Sequence, residues 1–153
     1  MPGYIFMSAL ILCLEDSMLL AIDIGNTNVT IGLIENENIK LIFRLDTNLR
    51  RTEDQYIADF NDILILNRIN SEVIKGSIIS SVVPSVTNTV VGAVERIFKV
   101  KPVLLSLDLN IGIDFKVDDK KSLGPDLIAG CVAAVNDFGG PLIVVDLGTA
   151  TTM

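Results

Sequence analysis

The sequence predicts a mixed α/β domain in which a three-stranded antiparallel meander leads into alternating helices and strands. Three observations carry this. Apolar runs recur at short intervals from Met18 onward with turn-forming residues between them. Two later segments show helical spacing of apolar residues behind helix-start signals. An apolar run also ends twice in the same kind of turn, an aspartate followed two residues later by glycine and then by threonines, at Asp23 and at Asp146.

The meander is expected as Leu19–Ile24, Val29–Ile34 and Ile39–Leu45. Its turns, Gly25-Asn26-Thr27-Asn28 and Glu35-Asn36-Glu37-Asn38, are rich in residues that tolerate positive φ or bond their own backbone. Thr52 then opens a helix, with Gln55 three residues on to complete a capping box and Ile57, Phe60 and Leu64 along one face. Ile78–Val83 reads as a strand bounded by Pro84. Ser85 can cap a second helix whose stripe is Val86, Val90, Ala93 and Ile97. The order is thus βββαβα. A short strand is expected at Val103–Leu107, followed by an irregular polar stretch around 114–122. A third helix begins at Gly124-Pro125-Asp126 and stops at Gly139-Gly140, and a last strand covers Leu142–Leu147.

Composition narrows the chemistry. The 153 residues, half of them apolar, suffice for one well-buried core but not for two full domains. A formal charge of -7 leaves no basic surface for a nucleic-acid backbone, so nucleic acid is not an expected partner. The chain has no histidine, which removes imidazole bases, histidine zinc sites and serine or cysteine triads that need one. Carboxylates must therefore do any proton chemistry. Cys13 and Cys131 form no C-x-x-C pair, which fits a reducing, cytoplasmic setting. The longest apolar run, from Tyr4 to Leu14, is about half the length of a membrane span. It lacks a preceding cation and is followed by Glu15 and Asp16, unlike a signal peptide, so no membrane association is expected. Residues 1–17 read as an extension ahead of a pattern that starts at Met18.

At Asp23 a strand delivers a carboxylate to its end, and a glycine turn beside hydroxyl and amide side chains follows, a setting suited to phosphate oxygens. The carboxylate can hold Mg²⁺ through its waters against a nucleotide's phosphates. The second turn, Asp146-Leu147-Gly148-Thr149-Ala150-Thr151-Thr152, offers the same parts, and two such turns facing each other can clamp one triphosphate. No P-loop is present and no G-x-G-x-x-G follows a strand.

Paired turns and βββαβα order resemble the actin, sugar kinase and Hsp70 superfamily, which implies an actin-like ATPase (ribonuclease H-like) α/β fold. The start Met18-Leu-Leu-Ala-Ile-Asp-Ile-Gly-Asn-Thr-Asn, the Ser80-Ser81-Val82-Val83-Pro84 strand, Gly124-x-Asp126 and Asp146-x-Gly-Thr-Ala-Thr-Thr152 are similar, in order and approximate spacing, to type III pantothenate kinases. That resemblance covers the chain from Met18 onward. It implies transfer of the γ-phosphoryl group of ATP to pantothenate, giving 4'-phosphopantothenate, the first step of coenzyme A biosynthesis. It implies ATP contacts from Asp23, Ile24, Gly25, Asn26, Thr27, Asn28, Val29 and Thr30, and from Thr149. Asp146 would bind the monovalent cation, K⁺ or NH₄⁺. The pantothenate site would include Val117, Gly124, Pro125, Asp126 and Leu127, with Asp126 as the base that takes the hydroxyl proton. A homodimer of the longer protein is implied as well.

Two positions depart from the family pattern. Leu127 stands where an arginine is usual after the catalytic aspartate, and Val117 where a tyrosine is common. Lys120 or Lys121 is a candidate to replace the missing positive charge. The resemblance also divides the chain into an extension at 1–17, a first actin-like domain at 18–140 and the start of a second at 141–153. On that division the cleft is half built, so residues 18–153 are expected to turn over weakly or not at all alone. The competing expectations are a kinase with another hydroxyl acceptor, such as a sugar, and a non-catalytic regulatory or pseudo-kinase relative.

Overall fold

The computed structural model describes residues 17–119, 123–147 and 151–152. Strands β1 (Met18–Ile24), β2 (Asn28–Glu35) and β3 (Asn38–Asp46) form the meander. Helix α1 (Glu53–Leu66), a 3-10 turn at Ser71–Val73, β4 (Ile74–Ser81), α2 (Pro84–Phe98), β5 (Val103–Leu104) and α3 (Pro125–Phe138) follow. The described chain ends in the short strands β6 (Asp146–Leu147) and β7 (Thr151–Thr152). The main sheet has five strands in the order β3-β2-β1-β4-β5. β1 runs antiparallel to β2 and parallel to β4. This mixed sheet with flanking helices is the α/β arrangement expected from the sequence.

Strand alternation sends one face of the sheet inward. Leu20, Ile22 and Ile24 of β1 stand opposite Leu33, Ile31 and Val29 of β2, and all six are buried. Leu41, Phe43 and Leu45 of β3 extend the same rows, and Ile79 of β4 joins Ile22. The turn between β2 and β3 places Asn36 at φ 48° and Glu37 at φ 65°, the left-handed pair that a two-residue hairpin demands.

Helices α1 and α2 cover this face. Thr52 caps α1 as expected: its hydroxyl accepts from Gln55 N at 3.4 Å, and Gln55 Oε1 accepts from Thr52 N at 2.9 Å. The buried stripe is Tyr56, Phe60 and Leu64, so Ile57 is half-buried at its margin and the helix is turned slightly from the expected face. In α2, Val86, Val90 and Ala93 are buried as expected, but Val94 and Phe98 share the stripe while Ile97 lies at its edge. Phe60 sits at the centre, its ring 6.3 Å from Phe43 edge-on, 5.8 Å from Phe98 and 6.3 Å from Tyr56.

The Tyr56 hydroxyl is buried without a hydrogen-bond partner among the described residues. Burial pushes its pKa above the usual value of 10.0, an effect that Arg51 over the ring, 4.7 Å from its centroid, partly opposes and Asp59 reinforces. A phenol whose folded pKa is raised stabilises the fold while neutral, and that contribution disappears as pH rises from the unfolded pKa through the folded one. Tyr56→Phe is therefore expected to leave stability at pH 7 unchanged or slightly higher, since it removes an unpaired polar atom. It should also flatten the fall in unfolding midpoint above about pH 10, which a thermal melt series across that range would show.

Several expected boundaries are corrected. β4 begins at Ile74 rather than Ile78 and ends at Ser81 rather than Val83, because pairing along the whole of β1 outweighs the weak strand preference of Gly76. Ser85 does not cap α2. Pro84 occupies the first helical position, Val83 is the cap residue, and Ser81 Oγ accepts from Val83 N at 3.1 Å instead. β5 stops at Leu104, not Leu107, and pairs Val103 and Leu104 with Ile78 and Ile79 of β4, Leu105 N donating to Ile79 O at 2.8 Å just beyond. The strand expected over Leu142–Leu147 shrinks to Asp146–Leu147, since its only partner among the described residues is Thr151–Thr152. Ile143 and Val145 remain exposed.

Candidate functional site

The site is built where β1 and β4 end. These parallel strands finish side by side, with Asp23 opposite Ser80 and Ile24 opposite Ser81, and Val82 N donates to Ile24 O at 3.0 Å. Beyond Ile24 the chain reverses through Gly25–Asn28, closed by Gly25 N donating to Asn28 O at 2.9 Å. Asn26, Thr27 and Asn28 are exposed, as is Asp23 at the strand end. Ile24 and Val29 are fully buried in the core, so of the expected ATP contacts these two can offer only their backbones. Thr30, opposite Asp23, is half-buried.

Thr47, which the sequence did not single out, fixes the turn from behind. Its Oγ1 donates to Gly25 O at 2.7 Å, and its amide donates to Thr27 O at 2.9 Å. These bonds occupy two turn carbonyls and hold the rest of the loop in place. The only signal in the sequence was a hydroxyl directly after the third strand, and nothing local says which turn it would reach. Thr47→Val is expected to lose about 1 kcal/mol of stability and to weaken nucleotide binding, read by denaturant titration and by titration with Mg-ATP; unchanged values in both would contradict the clamp.

Helix α3 begins at the same end of the sheet. Gly124 is its cap residue, and a Cβ there would collide with the Asp126 carboxylate while touching Val82 at 3.7 Å. A side chain there would oblige the Asp126 carboxylate to turn away, while its contact with Val82 at the end of β4 would be an ordinary one. Ile128, 1% exposed, anchors the first turn outside the main core cluster, which places α3 on the opposite face of the sheet from α1 and α2. Asp126 is exposed, and its Oδ1 lies 2.9 Å from Leu127 N. Asp23 and Asp126 are thereby carried to one end of the sheet, linked through β4 and Val82.

The two serines before Pro84 have separate roles. Ser81 Oγ takes part in the start of α2, 2.7 Å from Thr87 Oγ1. Ser80 is 8% exposed, and its hydroxyl finds no partner among the described residues. Pro125 occupies the first position of α3, and Leu127 is half-buried and apolar. Val117 lies exposed in the irregular stretch before α3, outside the core. Lys120, Lys121 and Thr149 fall outside the described residues. The backbone of Asp146 pairs with Thr152, an antiparallel hairpin like the one that carries Asp23, but its side chain is outside the description.

Among the described residues no three histidine, cysteine, aspartate or glutamate side chains gather into a metal cage. An exposed carboxylate such as Asp23 beside this turn suits Mg²⁺, which takes one or two protein carboxylates and completes its shell with water and phosphate oxygens.

A family model for type III pantothenate kinase matches residues 19–153. The chain belongs to the type III pantothenate kinase family. It is 37% identical over 135 residues to a type III pantothenate kinase of Bifidobacterium animalis subsp. lactis, an overlap of 88% of this chain and 54% of that protein. It is 36% identical to the one from Agathobacter rectalis, over 88% of this chain and 52% of the relative. The chain thus spans about half the length of the curated relatives it matches. Among solved structures, a Bacteroides thetaiotaomicron protein with an actin-like ATPase fold and unknown function overlaps 67% of this chain and 37% of its own, at 10% identity and a TM-score of 0.45. YeaZ from Pseudomonas aeruginosa overlaps 57% of this chain and 44% of its own, at 16% identity and a TM-score of 0.42.

Relatives of the type III pantothenate kinase family are thus matched over both the Gly25–Asn28 turn and the Gly124–Asp126 helix start. No helix among the described residues is long and apolar enough to cross a membrane.

Proposed function

We propose that these residues form the nucleotide- and acceptor-binding half of a cytoplasmic pantothenate kinase, which transfers the γ-phosphoryl group of ATP to pantothenate to give 4'-phosphopantothenate. The observation that carries the reading is the convergence of the Asp23–Asn28 turn and the Gly124–Asp126 helix start at one end of β1 and β4, within a chain of this family. The turn from Gly25 to Asn28 binds phosphate, with Thr47 holding it rigid. Asp23 holds Mg²⁺ through water, and the ion neutralises charge between the β- and γ-phosphates. Asp146 and Thr149 serve a monovalent cation, K⁺ or NH₄⁺, and the nucleotide from the second turn.

Asp126 accepts the proton of the pantothenate hydroxyl as it attacks phosphorus. A loose phosphoryl-transfer transition state depends on alignment and charge neutralisation more than on a strong base, so an ordinary exposed carboxylate suffices. Leu127 and Val117 line the acceptor side, and the positive charge for the pantothenate carboxylate then comes from Lys120 or Lys121. Residues 18–140 act as one actin-like domain and 141–153 begin the next. A cleft with one wall turns over slowly or not at all, so residues 18–153 alone are proposed to be weakly active or inactive; the family-length protein is proposed to be a homodimer.

Leu127 in place of arginine is the observation that favours a different hydroxyl acceptor. ADP release by a protein carrying these residues at the length of its relatives decides between the acceptors. Release that requires pantothenate and rises when K⁺ replaces Na⁺ is the expected result. Release driven equally by a sugar, or independent of any acceptor, would overturn it.

A further inference from the structure

The strand register lines up four polar residues across four adjacent strands. Arg44 on β3 stands opposite Thr30 on β2, Thr30 opposite Asp23 on β1, and Asp23 opposite Ser80 on β4. The rows on either side, Leu45–Val29–Ile24 and Phe43–Ile31–Ile22, belong to the core. Alternation therefore puts the polar row on the other face of the sheet, the face that α3 covers and from which Asp23 serves the turn.

Charge sets Arg44 apart in this row. The chain carries a net -7, and Asp23, Asp46 and Asp126 all lie at this end of the sheet. The Gly25–Asn28 turn itself contains no lysine or arginine. Several other cations are committed elsewhere: Lys40 to Glu35 at 2.7 Å, Arg51 to Asp59, and Arg96 to Asp54 at 2.8 Å. Arg44 is exposed and makes no hydrogen bond or ion pair among the described residues. Its backbone is two strand spacings from Asp23, about 10 Å, a gap that an extended arginine and a bound polyphosphate close together. The buried hydroxyl of Ser80 at the far end of the row is a second polar group there for which the described residues provide no partner.

We propose that Arg44 is a phosphate-binding residue of the nucleotide site, its guanidinium lying over Thr30 and donating to the terminal phosphate oxygens of a nucleoside triphosphate held at the Gly25–Asn28 turn. This rests on the ATP reading above. The fork of a guanidinium suits two phosphate oxygens at once, which lysine cannot match. The plain alternative is that Arg44 only guards the outer edge strand against pairing with other chains.

The test is titration of this chain with Mg-ATP and Mg-ADP, comparing wild type with Arg44→Gln, Arg44→Lys and Lys75→Gln. Lys75 is an exposed cation at the opposite end of β4, so its variant controls for net charge. Arg44→Gln is expected to weaken Mg-ATP binding about 10-fold or more, Mg-ADP binding by less, with Arg44→Lys between and Lys75→Gln unchanged. Melting temperatures equal to wild type would show that the fold is intact. Equal losses in Arg44→Gln and Lys75→Gln, or none in either, would overturn the role of Arg44 while the ATP reading stands. A wild-type chain that binds neither nucleotide would overturn that reading, and this inference with it.

Discussion

Asp126→Asn is expected to lower pantothenate-dependent ADP release by about 10²–10⁴-fold in a protein of family length, with little change in the Michaelis constant for ATP. Asparagine keeps the shape of the side chain beside Gly124 and Val82, so the start of α3 should survive. What it removes is the proposed acceptor for the hydroxyl proton. The competing role for an acidic residue in a first helical turn is to complement the helix dipole, worth about 0.3–1 kcal/mol. That role predicts the reverse pattern, a lower melting temperature with turnover kept. Measuring both quantities on one variant therefore separates the two.

Phe60→Ala is the substitution expected to cost the most stability, about 3–5 kcal/mol. The ring is 1% exposed and touches Phe43 from the sheet, Phe98 from α2 and Tyr56 from its own helix. Its removal leaves a cavity where three elements meet, and neighbours held on a strand and two helices cannot all close in. Against a typical total of about 5–15 kcal/mol, the loss should move the urea midpoint strongly or leave the chain largely unfolded. A midpoint near that of wild type would mean that the aromatic cluster is not the centre of the core.

Much of this was legible because local and global preferences agree in the first half of the chain. The meander, its Asn36-Glu37 turn and the Thr52–Gln55 capping box each rest on short-range chemistry that the sequence displays directly. The face of α1 was less legible: Ile57 and Tyr56 are adjacent, and which of them turns inward depends on the core around Phe60, which packs on Tyr56, Phe43 and Phe98. Strand ends were lost for a similar reason. Gly76 reads as a breaker until β1 is there to pair with it, and Leu142–Val145 read as a strand although no described strand takes their hydrogen bonds.

The site divides in the same way. Asp23 and the Gly25–Asn28 turn announce themselves, since turn chemistry and a strand-end carboxylate are contiguous. Thr47 and the Arg44 row do not, because the first acts across a gap of 22 residues and the second exists only through the register of four strands. The approach of Gly124 to Val82 likewise appears only once α3 is set against the end of β4.

The most direct test of the central claim is phosphorus NMR of the reaction mixture after a family-length protein carrying these residues has been incubated with Mg-ATP, K⁺ and pantothenate. The account predicts a new phosphomonoester on the primary hydroxyl of pantothenate, formed in step with ADP and absent from the Asp126→Asn reaction. Inorganic phosphate alone, or a phosphomonoester formed equally well by Asp126→Asn, would contradict it.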